Sequence, residues 1–482
     1  MNYRVVFKLL GNVLKYELIL LLIPLCISVY YGEGDAFSFF ITIILMAPVS
    51  FLLCKIKAKK NDIYGKEGFL TVGLAWILIS VVGAMPFIIS KSIPSFIDAF
   101  FETVSGFTTT GASILKEVES LPKGILFWRS FTQWIGGMGF LIFILALIPS
   151  LGFNTIHLLK AESPGPTPGK IVPKIKETAE ILYIIYFVLT LIQTILLKIA
   201  GLSWYDATLH AVGTAGTGGF SNMNSSVAAF TNPVVEWIIT IFMLLFGVNF
   251  ALYFQILKGN IRNVFKSEEL RYYILIVCIS IVFITINIIN PNNGDIAESV
   301  RQSSFQVASV ITSTGYATSD FNLWPTISKI ILILLMFIGA MAGSTGGGIK
   351  TVRILIMIKA IKREINKLLH PKRIKSVKID GKVIEEETIS GVFLFIGAYI
   401  IISLIAMFIV ALDGFDIVTT STSVIATISN IGPGLEKVGP TGNFSSFSSL
   451  SKIVLSFCML AGRLEIYPML IMFSPSIWRK SY

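Results

Sequence analysis

The sequence predicts an all-α polytopic membrane protein: four repeats of helix, short re-entrant helix and helix around one axis, preceded by two N-terminal transmembrane helices. Three observations predict it. The 482 residues are 54% hydrophobic and only 14% charged, with a mean hydropathy of +0.78, too apolar for a water-soluble fold of this size. Basic residues gather in alternate loops. A strip of Thr, Ser and Gly recurs four times between apolar stretches.

A span needs roughly 20 predominantly apolar residues. Ten stretches meet that length, at 9–30, 36–54, 69–90, 126–149, 178–200, 233–257, 272–290, 326–348, 389–411 and 450–474. The first opens with Arg4 and Lys8, but it is too long for a signal peptide, lacks a small-residue cleavage site and runs straight into a second span. The net charge of +11 follows topology. Lys55, Lys57, Lys59, Lys60 and Lys66 follow span two; Lys160, Lys170, Lys174 and Lys176 follow span four; Lys258, Arg262, Lys266 and Arg271 follow span six. The segment from Lys350 to Lys382 holds eleven basic residues, whereas Pro291–Glu298 and Pro433–Asn443 hold few. By the positive-inside rule the basic loops and both termini are cytoplasmic, and no nucleic-acid partner is implied. Cys26, Cys54, Cys278 and Cys458 lie in apolar spans without CxxC spacing and read as small core residues. His157, His210 and His370 are scattered, so no transition-metal site is expected.

The repeat carries the functional signal. The segment from Asp98 to Ser113, containing "FFETVSGFTTTGAS", aligns without gaps with Asp206 to Ser221, which ends "GTGGFS". A third copy ends Ser313-Thr314-Gly315-Tyr316-Ala317, and a looser fourth holds Asn430-Ile431-Gly432-Pro433. Asp416 lies sixteen residues before Gly432, against thirteen for Asp98 and Asp206 before their glycines, so an asymmetric ring is expected. The short helix, Phe96 to Phe107, is about a dozen residues and fits a re-entrant segment. Non-helical backbone at membrane depth is tolerated only where it packs in protein or lines a watery cavity. Four strips round one axis would present a ring of backbone carbonyls, the means of replacing the hydration shell of a potassium ion. Glycine permits the backbone angles this needs, and the helix C-termini favour a cation without a buried carboxylate.

Two further stretches need a reading. "MAGSTGGGIKT" resembles a phosphate loop, but Ile349 separates Gly348 from Lys350, and the stretch ends an apolar span instead of following a strand. Its glycines break a helix inside the membrane instead. Arg463 lies deep in the last span, and an intramembrane charge marks function by default. Glu465, two residues on, does not share its helix face. Glu102 and Arg129 read as a salt bridge holding the short helix at the external mouth. No hydrolytic or redox constellation is visible, and few acids lie inside the spans.

With "FFETVSGFTTTGAS", "WRSFTQWIGGMGF", "GTGGFS", "TSTGYATSDF", "GSTGGGIKTVR" and "GRLEIYP" in this order, the whole chain resembles the Trk/Ktr/HKT superfamily of potassium transporters, and most of all the TrkH/TrkG branch. The resemblance implies four M1–pore helix–M2 repeats with pseudo-fourfold symmetry. The units are 67–160, 161–266, 267–382 and 383–482, after an N-terminal pair at 1–66. It implies one filter glycine per repeat, at Gly111, Gly219, Gly315 and Gly432. The backbone of Thr109, Thr110, Thr217, Gly218, Ser313, Thr314, Asn430 and Ile431 supplies the remaining K+ ligands. Serine at the first position goes with sodium preference in relatives, so Gly111 points to potassium. The stretch with Gly343, Gly346, Gly347, Gly348 and Lys350 becomes an intramembrane gate, which Arg463 latches through carbonyls around Gly346–Gly348. The implied activity is K+ uptake across a bacterial inner membrane by channel-like permeation; a K+ symporter coupled to H+ or Na+ is the alternative. K+ is the transported ion, no enzyme chemistry or organic cofactor is implied, and the partners are a second copy in a homodimer and a cytosolic TrkA-type nucleotide-binding ring, docked near Lys350–Lys382.

Overall fold

The computed structural model describes residues 3–57, 65–139, 175–372 and 376–475. Helices α1 (Tyr3–Leu20) and α2 (Leu22–Tyr31) continue one another, and α3 (Ala36–Cys54) packs along them. Close approach needs a small residue, and Gly11 provides it: a Cβ there would stand 2.7 Å from the Leu53 side chain. Four units follow, each a long helix, a short one and a second apolar helix. The first is α4 (Gly65–Ile89), α5 (Phe96–Phe107) and α6 (Lys123–Gly137). The second is α7 (Ile175–Ile199), α8 (Trp204–Gly216), α9 (Pro233–Phe246), α10 (Phe250–Leu257) and the short α11 (Ile261–Lys266). The third is α12 (Glu268–Ile288), α13 (Ile296–Ile311), α14 (Thr326–Ile338) and α15 (Thr351–Leu369). A small antiparallel hairpin, β1 (Lys378–Ile379) and β2 (Lys382–Val383), leads to the fourth: α16 (Glu386–Val410), α17 (Ile417–Ile428), α18 (Ser449–Arg463) and α19 (Tyr467–Met472).

Ten uninterrupted spans are not what forms. Among the described residues six helices are long and apolar enough to cross a membrane, or seven if the bent α9–α10 pair is one span. The four expected spans that differ are the second helix of each unit. α6, α9, α14 and α18 stop after 13–15 residues. At 1.5 Å per residue that is about 20 Å, short of a hydrocarbon core of about 30 Å. α9 and α10 meet at 91°. The end of α14 enters the glycine-rich loop, and α18 stops at Arg463. Hydropathy averages side chains over a window and is blind to the backbone, so Gly247-Val248-Asn249 and Gly339 left no mark on it. The rest of the expected span 126–149, His157 and the lysines at 160, 170 and 174 lie outside the described residues.

The short helices share one start signal. Ser95, Ser203, Asp295 and Asp416 are their N-caps, accepting from the backbone N–H of Asp98, Asp206, Glu298 and Thr419 at 3.4, 3.0, 2.9 and 2.8 Å. This corrects the expected offset of the fourth unit. Asp416 is the counterpart of Ser95 and Ser203, not of Asp98, and all three caps stand sixteen residues before their strip glycine. The unit that differs is the third, whose α13 runs 16 residues against 12 for α5 and α17.

Bulky aromatics fill the space behind the strips. Trp128 is fully buried, donates to the Gly83 carbonyl at 2.9 Å and packs edge-on against Phe107. The outward faces remain apolar, as lipid contact requires, with Phe37, Leu52 and Phe408 more than half exposed. Of the cysteines, only Cys458 is a core residue. Cys54 is half-buried and Cys26 and Cys278 face outward, because apolar surroundings in a membrane protein include the lipid side.

Candidate ion pathway

Each short helix ends in the same way. The residue after its last turn is left-handed: Thr109 (φ +57°), Thr217 (+53°), Ser313 (+57°) and Asn430 (+56°). The next N–H reaches back to the helix, from Thr110 to the Ser105 carbonyl at 2.8 Å, Gly218 to Gly213 at 2.9 Å, Thr314 to Ser309 at 2.8 Å and Ile431 to Ala426 at 2.9 Å. This is a Schellman ending, a place that usually takes glycine, since a left-handed L-residue costs about 1–2 kcal/mol. The glycine comes two residues later: Gly111 (+81°), Gly219 (+74°), Gly315 (+83°) and Gly432 (+90°). The N–H groups of these turns bind the helices behind them, which leaves the carbonyls to face elsewhere.

They face one another in a closed cycle. A Cβ on Gly111 would stand 2.2 Å from the Gly218 oxygen, on Gly219 2.0 Å from the Thr314 oxygen, on Gly315 2.2 Å from the Ile431 oxygen, and on Gly432 2.7 Å from the Thr110 oxygen. Strip one thus leans on two, two on three, three on four and four on one. The twelve residues expected to act together fall in four equivalent strips, and all four glycines line one cavity of about 130 Å³.

Side chains from neighbouring units brace the cycle. Gln133 on α6 donates to the Gly218 carbonyl at 2.6 Å and accepts from the Phe220 N–H at 3.1 Å, so one amide holds strip two on both sides. The Asn430 amide donates to Thr110 Oγ1 and to the Met459 carbonyl, both at 2.9 Å. Glu102 and Arg129, both buried, pair at 2.6 Å, as expected of them. Glu102 also accepts from Ser113 Oγ and the Ile114 N–H at 2.9 Å, while Arg129 donates to the Ser221 carbonyl at 3.0 Å and lies 3.6 Å over the Phe220 ring. Lys452 on α18 meets Asp98 on α5 at 2.6 Å, joining the fourth unit to the first. Gln133 and Lys452 escaped the sequence reading. The available signal was a polar residue within an apolar span, the same signal that marked Arg463.

Below the strips lies the loop between α14 and α15. The Gly347 N–H donates to Ser313 Oγ at 2.6 Å and the Gly348 N–H to the Ser429 carbonyl at 3.0 Å. Gly347 has no room for a side chain, since a Cβ would stand 2.3 Å from that same Ser429 oxygen. The loop also joins the break between α9 and α10. Met341 N–H donates to the Gly247 carbonyl at 3.1 Å, Phe250 N–H to the Gly343 carbonyl at 3.0 Å, and Thr345 Oγ1 to the Phe246 carbonyl at 3.2 Å. Glu269 on α12 accepts the Ala342 N–H at 2.7 Å.

Arg463 ties the other two breaks to this one. Its Nη2 donates to the carbonyls of Gly136 and Gly137 at the C-terminus of α6, where a cation also suits the helix dipole. Its Nη1 donates to the Thr345 carbonyl at 2.8 Å and lies 3.4 Å from Thr109 Oγ1. The loop carbonyl it reaches is therefore that of Thr345, one residue before the expected glycines; the Gly346 carbonyl accepts from Lys350 Nζ. Glu465, left-handed at φ +57°, pairs with Arg353 of α15. All four breaks thus meet under the strips, with one arginine between them.

Among the described residues no cluster of three His, Cys, Asp or Glu side chains is arranged to hold a metal ion. The comparisons with known proteins agree with the fold. The family model for TrkH, described as a cation transport protein, matches residues 35–480. The chain is 36% identical to the Trk system potassium uptake protein TrkH of Salmonella typhimurium over 100% of both chains. It is 34% identical to the Trk system potassium uptake protein TrkG of Escherichia coli, covering 99% of each. The crystal structure of the potassium transporter TrkH from Vibrio parahaemolyticus superposes with a TM-score of 0.89 at 31% identity, over 99% of this chain and 100% of that one. In sequence, length and fold alike, the chain belongs to the TrkH family of cation transport proteins.

Proposed function

We propose that the chain takes up K+ across a bacterial inner membrane by permeation through the four strips, with its basic loops and termini in the cytoplasm. The closed cycle of glycine-to-carbonyl contacts carries this reading. Backbone oxygens at Thr109 to Gly111, Thr217 to Gly219, Ser313 to Gly315 and Asn430 to Gly432 replace the water that K+ gives up. Each repeat within 67–160, 161–266, 267–382 and 383–482 contributes one strip, behind the leading pair at 1–66. No covalent step is needed. A potential of 100 mV contributes about 2.3 kcal/mol per charge, enough for roughly 50-fold accumulation.

The loop from Gly339 to Lys350 is the gate, closing the cytoplasmic side of strips three and four. Arg463 latches it through Thr345 and sets a positive charge in the path of the ion. The chain works as a homodimer, with a cytosolic nucleotide-binding ring of TrkA type acting on the segment from Lys350 to Lys382.

Coupled symport with H+ or Na+ has one observation in its favour. Glu17 on α1 is fully buried and neither carboxyl oxygen has a hydrogen-bond partner among the described residues. It lies beside Gly83 of α4, which also packs against Thr103 and Phe107 of α5. Purified protein in liposomes separates the readings. Permeation predicts ⁸⁶Rb+ uptake that follows the K+ gradient and voltage alone. Uptake driven by an imposed H+ or Na+ gradient at zero K+ driving force would establish symport instead.

A further inference from the structure

Lys350 is a lysine buried in the loop without an acid in hydrogen-bond contact. The residue is 3% exposed, and its backbone is held at φ +75° as α15 begins. An ammonium has three N–H donors. Among the described residues this one makes a single hydrogen bond, to the carbonyl of Gly346, four residues back in the same loop. The nearby acids are engaged elsewhere: Glu465 with Arg353, and Glu269 with the Ala342 N–H.

Gly346 lies against strip three, where a Cβ would stand 2.8 Å from the Thr312 oxygen. The loop thus packs on strip three at this residue, and the Gly346 carbonyl accepts from the Lys350 head group, which as an ammonium has nearly the ionic size of K+. Carbonyl oxygens that accept an ammonium present the same field to an alkali ion. Two of the three N–H donors go unanswered in a buried place, which makes the occupant easy to displace.

We propose that Lys350 is a tethered plug: its ammonium fills a cation site at the Gly346 carbonyl that a permeating K+ takes when the gate opens. This rests on the reading of the strips as a filter and of the loop as its gate. The plug explains why the segment carries a lysine at a position where the ordinary helix start would favour Ser, Thr, Asp or Asn. Lysine is suited to the task because its charge is compact and its stem flexible, whereas the planar guanidinium of arginine is not a K+ mimic.

The test uses the full-length protein in liposomes and in crystals. Lys350→Gln is expected to raise basal ⁸⁶Rb+ uptake by about tenfold, the scale of losing one charge-assisted hydrogen bond, while the preference for Rb+ over Na+ is kept. Lys350→Arg is expected to give a smaller rise. Crystals of K350Q soaked in Rb+ should show anomalous density at the Gly346 carbonyl, absent from the unaltered protein. Rb+ bound among the strips but not at Gly346 in K350Q would overturn the plug and leave the filter reading standing. Rb+ absent from the strips would overturn the filter itself. A K350Q protein with unchanged flux, beside an Arg463→Ala protein with raised flux, would likewise remove the plug and keep the gate.

Discussion

The four strip glycines should not be equally intolerant of a side chain, and the contacts rank them. Any L-residue at these positions pays about 1–2 kcal/mol for the left-handed backbone, a cost common to all four. What differs is the oxygen in the way. Ordinary contact begins near 3.4 Å, so a Cβ falls about 1.4 Å short at Gly219, about 1.2 Å at Gly111 and Gly315, and about 0.7 Å at Gly432. The second-nearest contacts are alike at all four, between 2.9 and 3.3 Å. The obstructing atom is in every case a backbone carbonyl proposed to face the ion, so relief of the overlap displaces a ligand by about the same distance. Serine at Gly219, Gly111 or Gly315 should therefore cost at least tenfold in preference for K+ over Na+, or about 1.4 kcal/mol, and serine at Gly432 clearly less. The assay is ⁸⁶Rb+ uptake into liposomes competed by K+ or Na+, for the four Gly→Ser proteins at equal reconstitution. Gly432→Ser as damaging as the others would refute the ranking. Intact selectivity in Gly111→Ser would refute the filter.

Other residues test the supports. Arg463→Ala removes the bonds to Thr345, Gly136 and Gly137, and basal ⁸⁶Rb+ flux should rise with Rb+ preference retained; unchanged flux at normal expression sinks the latch. Gln133→Leu leaves the Gly218 carbonyl and the Phe220 N–H without a partner, about 1–3 kcal/mol for each buried group, and should lower selectivity more than total flux. Glu102→Gln strands the buried Arg129 charge, at a cost of about 3–5 kcal/mol. The thermal midpoint in detergent should drop by several degrees, and a Glu102→Gln, Arg129→Gln double variant should recover part of it. Glu269→Ala frees the Ala342 N–H at the start of the gate loop; basal flux should rise, and the same flux as the parent would mean Glu269 does not restrain the loop.

Much of this was legible in the residues. Lipid-facing length, basic loops and the four Thr/Ser/Gly strips all follow from short-range pattern, and the strips came in the right register because a Schellman ending is a local structure. The fourth unit shows where local pattern misleads. Matching Asp416 to Asp98 by residue type produced a false offset, because Asp serves as the cap in one unit and stands inside the first turn in the other. The broken second helices were invisible for a different reason. An apolar window does not record that its backbone turns, and Gly339 and Gly347 act through space they leave to carbonyls. The braces were hidden by distance along the chain. Lys452 and Asp98 are 354 positions apart, and only the closing of the ring brings them together.

The loop hangs from only some of the strips, and this has a consequence for motion. Ser313 and Ser429 bear it directly, and Arg463 links it to Thr109, whereas strip two is clasped by Gln133 and has none of these bonds. Four identical subunits cannot make such a distinction, since whatever one feels the others feel. Here one chain divides the ring into a stator, anchored by Gln133 and the Glu102–Arg129 pair, and a leaf formed by units three and four. Under the proposed gate, withdrawing the loop unloads strips three and four directly and strip one only through Arg463. Opening of the proposed gate is then an uneven event, felt first by units three and four.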